Sequence, residues 1–293
     1  MLIQTDEYRR YLLEVKKSST NTIESYLRDI KIFNDFLLKK QFKTITEIDH
    51  NCILEYIEFL KSLSKADTTI LRNVAAIKSY FTFIYLRGKV NLNPTDNIKL
   101  SKKVKSISGI LSEDEISRLL KAPDTTNRKG IRDSAMLEIL YATGIRVSEL
   151  INLNLENVNL SAGFIVSKGE TDRIIPIHNE AIKALNNYIQ NSRSLLNIEK
   201  NNALFLNLNG KRISRQGFCK LLKKYAVDAN ISKDVNPYII RHSFATHLIQ
   251  NGASLKDVSE MLGHSYSSTI NIYAHLINDN VKKSYKKFHP KSL

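Results

Sequence analysis

Five residues in four stretches of this chain could together do chemistry on a phosphate ester. HSYSSTINIYAHL, residues 264–276, holds Tyr273 nine residues after His264, which follows the glycine of MLGH. ATGIRVSEL places Arg146 just past a glycine suited to ending a helix, and PYIIRHSFATHL places Arg241 near the start of another helix. Lys168 sits at the turn of SKGETDRIIP. A tyrosine hydroxyl has a reference pKa of about 10, so it attacks only with help from a neighbouring base or a cationic field. If it attacks a phosphodiester, negative charge grows on the non-bridging oxygens. Arginine suits that charge because its planar fork grips phosphate oxygens at two points. The leaving 5′ oxygen needs a proton from a lysine or histidine held close to it. The product, a phosphotyrosine ester, keeps the bond energy for resealing. Singly, each residue has an ordinary structural use; together they supply every part. His242, His247 and His275 read as structural or phosphate-adjacent, since no acidic or thiol partner accompanies them as in a metal site.

The bulk numbers fit a polyanionic substrate. The chain has 293 residues, 42% hydrophobic and 25% charged, enough for a real core and against wholesale disorder. Its formal net charge is +15, an excess that points to nucleic acid as partner. Residues 1–100 hold 16 Lys+Arg against 12 Asp+Glu, and the remaining 193 hold 28 against 17, so the C-terminal part carries most of the excess. Two cysteines, Cys52 and Cys219, in no ligand-like spacing, argue against a disulfide framework or zinc site and for a reducing compartment. The opening MLIQTDEYRR does not read as a signal peptide, and no apolar run approaches a membrane span. The expectation is a soluble, cytoplasmic protein with no membrane contact.

These residues need elements to hold them. Helical periodicity recurs in residues 2–17, 18–40, 45–63 and 67–88, with Asn21 or Thr22 as candidate cap of the second helix, Asp67 as cap of the fourth and Gly88 as its stop. Four helices predict a compact N-terminal all-α domain over 1–100. NLNPTDNIKLSKKVKSISG lacks apolar periodicity, and its lysine-rich part, 101–108, reads as a linker. Ser112 and Glu115 form a capping box that opens a second domain, 109–293. Within it, IRDSAMLEILYATG reads as a helix, and Phe164–Ser167 and Arg173–Ile177 as a hairpin around KGETD. Helices are expected at 180–196, 214–229, 238–251, 254–261 and about 267–287. The fold class is mainly α with a small β insertion.

Read in order, the motifs resemble the tyrosine recombinase (phage integrase) family over essentially the whole chain, most closely the Xer-like site-specific recombinases. ATGIRVSEL resembles the family's first-arginine motif and SKGETDRIIP its hairpin-lysine motif. RHSFATHLIQNGASLKDVSEMLGHSYSSTINIYAH resembles the block from second arginine to nucleophile. The resemblance implies Arg146 and Arg241 as phosphate clamp, Lys168 as general acid, His264 as transition-state stabiliser and Tyr273 as nucleophile, with Glu149 supporting the first arginine. It implies an N-terminal core-binding domain and a catalytic domain closing around double-stranded DNA, and strand exchange through a 3′-phosphotyrosine without metal, ATP or other cofactor. The active assembly would be a homotetramer, or a heterotetramer with a second recombinase. The tail from about 277 would dock on a neighbouring protomer or rest on its own domain. One departure stands out: the family usually has histidine three residues before the second arginine, and here Tyr238 stands there. Implied roles are chromosome dimer resolution in cell division and integration or excision of a mobile element. Two other readings compete, a type IB topoisomerase-like relaxing enzyme and a catalytically impaired DNA-binding architectural protein.

Overall fold

The computed structural model describes residues 3, 5–98, 109–169, 172–196 and 201–263. The chain divides into two compact units, residues 1–105 and 106–293. The expected linker at 101–108, the C-terminal helix at 267–287 and the tail from 277 lie outside the described residues.

In the first unit, α1 (Thr5–Arg10) runs on as a π-helical turn, Tyr11–Val15, and is followed by α2 (Thr20–Lys39), α3 (His50–Ser62) and α4 (Asp67–Leu86). The cap of α2 is Ser19, two residues before Asn21 and three before Thr22: its backbone is extended and its Oγ accepts from the Thr22 amide at 3.2 Å. Asn21 and Thr22 therefore fall inside the first turn. Likewise Ala66 precedes α4 and Asp67 is its first helical residue, where a carboxylate still meets the positive end of the helix dipole. Gly88 follows that helix with φ +66, the left-handed position that glycine fills without a Cβ penalty.

An aromatic cluster fills this unit. The rings of Phe33 and Tyr56 meet edge-on at 4.8 Å, those of Phe33 and Phe81 at 6.3 Å, and those of Tyr8 and Tyr80 at 5.2 Å. Asp29, fully buried on α2, takes both bonds of the Arg72 fork from α4, at 2.7 and 2.8 Å. That geometry compensates a buried carboxylate that would otherwise be costly.

The second unit opens with α5 (Glu113–Lys121), whose capping box is made by Ser112 and Glu115. It continues through α6 (Arg128–Thr143) and the short α7 (Val147–Asn152), which periodicity did not reveal because six residues are too few to show it. A three-stranded antiparallel sheet follows, in the order β1 (Val158–Asn159), β2 (Phe164–Ser167) and β3 (Arg173–Pro176). The sequence showed the β2–β3 hairpin and missed the two-residue β1. In the hairpin register, Ser167 faces Arg173 and Ile165 faces Ile175. Then come α8 (Asn179–Tyr188), a π-helical turn at Ile189–Arg193, α9 (Ser194–Leu196), α10 (Arg215–Asp228), α11 (Pro237–Gln250) and α12 (Leu255–Leu262).

Two features fix the frame that the site is built on. The first is a buried ion pair in the second turn of α6. Arg132 is 4% exposed and Asp133 is fully buried; Asp133 Oδ1 accepts from Arg132 Nε and Nη2 at 2.8 and 2.6 Å, and Oδ2 accepts from Tyr225 Oη on α10 at 2.9 Å. Removing one partner of such a pair typically costs about 3–5 kcal/mol, because the other charge is left buried. The second is α11, buried almost all round, with Ile240 to His247 continuous in the interior. His247 bridges Tyr141 Oη and the Leu111 carbonyl, each at 2.9 Å, and Ser243 Oγ accepts from the Leu111 amide. His247 is thus a structural histidine.

Candidate active site

Gly144 ends α6 with φ +57, and a Cβ there would lie 2.3 Å from Cδ1 of Phe244. Conformation and space both demand glycine, and the close approach brings α11 against the turn that carries Arg146. Arg146 occupies the residue before α7 in extended backbone, and Glu149 reaches back from the third helical position. Glu149 Oε2 accepts from the Arg146 amide at 2.7 Å and Oε1 from Arg146 Nη1 at 3.0 Å. The Arg146 side chain stays 36% exposed, so it remains accessible to an anion.

Arg241 lies in the second turn of α11 and is 7% exposed. Its Nη1 donates to the Gly144 carbonyl and its Nη2 to the Leu262 carbonyl, both at 2.6 Å. Arg146 Nη2 donates to the next carbonyl, that of Gly263, at 3.4 Å. Two arginines 95 positions apart in sequence thus converge on the last turn of α12. The last carbonyls of a helix carry the negative end of its dipole, which a guanidinium complements.

Lys168 follows β2 and is mostly exposed, with Glu156 3.7 Å away. With Arg146, Ser148, Glu149, Asn152 and Gly169 it lines a small cleft of about 220 Å³. The structure thereby brings Lys168 to the Arg146 turn. Tyr238 opens α11, half-exposed, with its ring stacked on His242 at 6.1 Å and 7°. Being one turn from Arg241, it presents a phenol on the helix end that holds the second arginine. His264 and Tyr273 lie outside the described residues; the described chain stops at Gly263, one residue before His264.

Arg173 is a residue the sequence reading passed over. It donates through Nη1 and Nη2 to the two oxygens of Glu149, at 3.1 and 2.8 Å, and through Nε to the Met261 carbonyl at 2.7 Å. A signal was present: Arg173 shares strand parity with buried Ile175, and a charge at an inward strand position calls for a partner. Burial pushes the Glu149 carboxyl up, but the hydrogen bonds from Arg173 and the Arg146 amide outweigh it, leaving it below the usual carboxylate range.

A phenol at position 238 can donate a hydrogen bond to an anionic oxygen, and an imidazole there could donate the same bond. Tyr238→His should therefore leave cleavage intact or faster in a single-turnover assay. A loss as large as that of Arg241→Ala would show that the phenol itself is required.

The sequence profile described as the phage integrase family matches residues 110–279, and the N-terminal SAM-like domain of phage integrases matches residues 5–88. Tyrosine recombinase XerD of Staphylococcus epidermidis is 40% identical over 290 residues, covering 98% of each chain. Tyrosine recombinase XerD of Listeria innocua is 38% identical over 294 residues, again covering 98% of each chain. Among solved structures, XerA recombinase aligns over 98% of this chain and 100% of its own at 27% identity, with a TM-score of 0.55. XerH recombinase bound to palindromic difH substrate aligns over 97% of this chain and 84% of its own at 20% identity, with a TM-score of 0.75.

Proposed function

Because the chain belongs to the phage integrase family and is a tyrosine recombinase, we propose that Arg146, Lys168, Tyr238, Arg241, His264 and Tyr273 form its active site, supported by Glu149. Tyr273 Oη attacks the scissile phosphorus and passes its proton to a solvent water as the bond forms. The P–O5′ bond breaks, and the departing O5′ takes a proton from Lys168. The result is a 3′-phosphotyrosine and a free 5′-hydroxyl. Attack by the 5′-hydroxyl of the partner strand reverses the step and seals the new joint. Arg146 and Arg241 neutralise the charge on the non-bridging oxygens, Tyr238 donates to one of them, and His264 donates in the transition state. The observation that carries this reading is the convergence of Arg146 and Arg241 on adjacent carbonyls of one helical turn, with Lys168 beside Arg146.

The domain assignment is also our reading: an N-terminal core-binding domain over 1–100, a linker over 101–108 and a catalytic domain over 109–293. Four protomers act together on duplex recombination sites, as a homotetramer or with a second recombinase. The basic composition supports contacts made chiefly to phosphates. Identity near 40% to proteins named tyrosine recombinase XerD supports the Xer-like reading, with chromosome dimer resolution as its role and element transfer as the alternative. Action on chromosomal DNA would place the protein in the cytoplasm; among the described residues no helix is long and apolar enough to cross a membrane.

The test is covalent trapping. The protein is incubated with nicked duplexes of random sequence, denatured and digested, and DNA-bearing peptides are mapped. Adducts should fall on the peptide containing Tyr273, and the attached DNA should share one sequence. Bound DNA with no adduct, alone or with a second recombinase added, would favour the architectural reading.

A further inference from the structure

We propose that Arg173, which has no part in the chemistry above, is a positioning residue for strand cleavage. It sets the Arg146 guanidinium through Glu149 and registers that guanidinium against the turn leading to His264. The inference rests on the assignment of Arg146 to the scissile phosphate.

The geometry is a closed set of bonds. The Glu149 carboxylate receives four: two from the Arg173 fork, one from the Arg146 amide and one from Arg146 Nη1. Each oxygen takes one bond from each arginine, so the carboxylate has one orientation and Arg146 is held by that orientation. The two arginines differ in access. The Arg173 side chain is 7% exposed and that of Arg146 36%. The buried one acts as scaffold and leaves the exposed one able to reach an anion.

Arg173 also touches the helix end that Arg146 and Arg241 share. The carbonyls of Met261, Leu262 and Gly263 are taken in order by Arg173, Arg241 and Arg146. Gly263, at φ +62, leaves space for this: a Cβ would stand 2.9 Å from Arg173 Nη1. Through the strand pairing, Arg173 lies opposite Ser167, the residue before Lys168. One guanidinium thus meets the hairpin, the first-arginine turn and the chain entering His264. A lysine ammonium lacks the fixed fork needed to hold both carboxylate oxygens and a carbonyl together.

The test compares wild type, Arg173→Lys and Arg146→Ala on two substrates. One is the nicked duplex that wild type captures from a random pool; the other is the same duplex with a methylphosphonate at the scissile position. The methyl group replaces a non-bridging oxygen and removes the charge that Arg146 would neutralise. Arg173→Lys should bind the duplex within about threefold of wild type yet cleave the phosphate about 100-fold more slowly, the scale of a small misplacement of a reacting partner. On the methylphosphonate the deficit should shrink to within about fivefold, in parallel with Arg146→Ala. Glu149→Gln/Arg173→Met removes both buried charges together, guarding against a folding failure, and should show the same pattern. An equal deficit on both substrates, or none on either, overturns the inference. Wild type that captures no DNA overturns the strand-transfer reading and this inference with it. An Arg146→Ala protein as fast as wild type refutes the inference through its premise.

Discussion

Tyr273→Phe should abolish the denaturation-resistant protein–DNA adduct while binding the same duplex within about threefold of wild type. The substitution removes one oxygen, the attacking atom, and keeps the ring. A nucleophile acts as a unit with its activating groups, and its loss leaves only binding and slow background hydrolysis. The chain has 13 tyrosines, and the structure shows why several are unsuited to the role. Tyr188 Oη is buried, donating to the Leu204 carbonyl and accepting from the Leu206 amide. Tyr225 Oη donates to the Asp133 carboxylate, and burial together with that negative charge pushes its pKa up. Burial likewise pushes the phenols of Tyr8 and Tyr56 well above the ordinary tyrosine range. Tyr238 is exposed and one turn from Arg241. An adduct that survives in Tyr273→Phe and disappears in Tyr238→Phe would move the nucleophile to that position.

Arg241→Ala is expected to slow single-turnover cleavage by at least about 10²–10³-fold, the loss seen when one fixed donor to a developing oxyanion is removed. The side chain also has a structural share. Its bonds to the Gly144 and Leu262 carbonyls join the end of α6 to the end of α12. Losing them leaves buried acceptors short of partners, which costs about 1–3 kcal/mol. The melting transition should therefore fall as well, and the rate must be read on protein shown to be folded. Arg241→Lys separates the two roles. It keeps the charge and part of the stability but loses the planar fork, so cleavage should stay strongly impaired. Duplex affinity should change little in either variant, since many other phosphate contacts share the load. A cleavage rate within tenfold of wild type in Arg241→Ala would remove Arg241 from the clamp.

Much of the architecture was legible because it is local. The capping box at Ser112 and Glu115 and the glycine stops at Gly88 and Gly144 depend on neighbours a few residues away. The β2–β3 hairpin is written in two β-rich runs around a turn. Misplaced details were also local but finely balanced: Ser19, Asn21 and Thr22 can each cap a helix, and backbone conformation chooses Ser19. Helix α7 and strand β1 are too short to carry a period.

The sequence by itself determined residue types and their order: arginine, lysine, arginine, histidine and tyrosine in contexts suited to phosphoryl transfer, on a mainly helical chain with strong positive charge. Only the tertiary structure decided which carbonyls the arginines meet and what holds them. Glu149 lies three residues from Arg146, but its second partner comes from β3, 24 residues away, and the carbonyls of Met261 to Gly263 arrive from more distant chain still. Buried charge must find an opposite charge or a dipole end, whatever the sequence separation. Strand parity could mark Arg173 as needing a partner; naming that partner required the packing of α6, α7, α11, α12 and the hairpin around one turn.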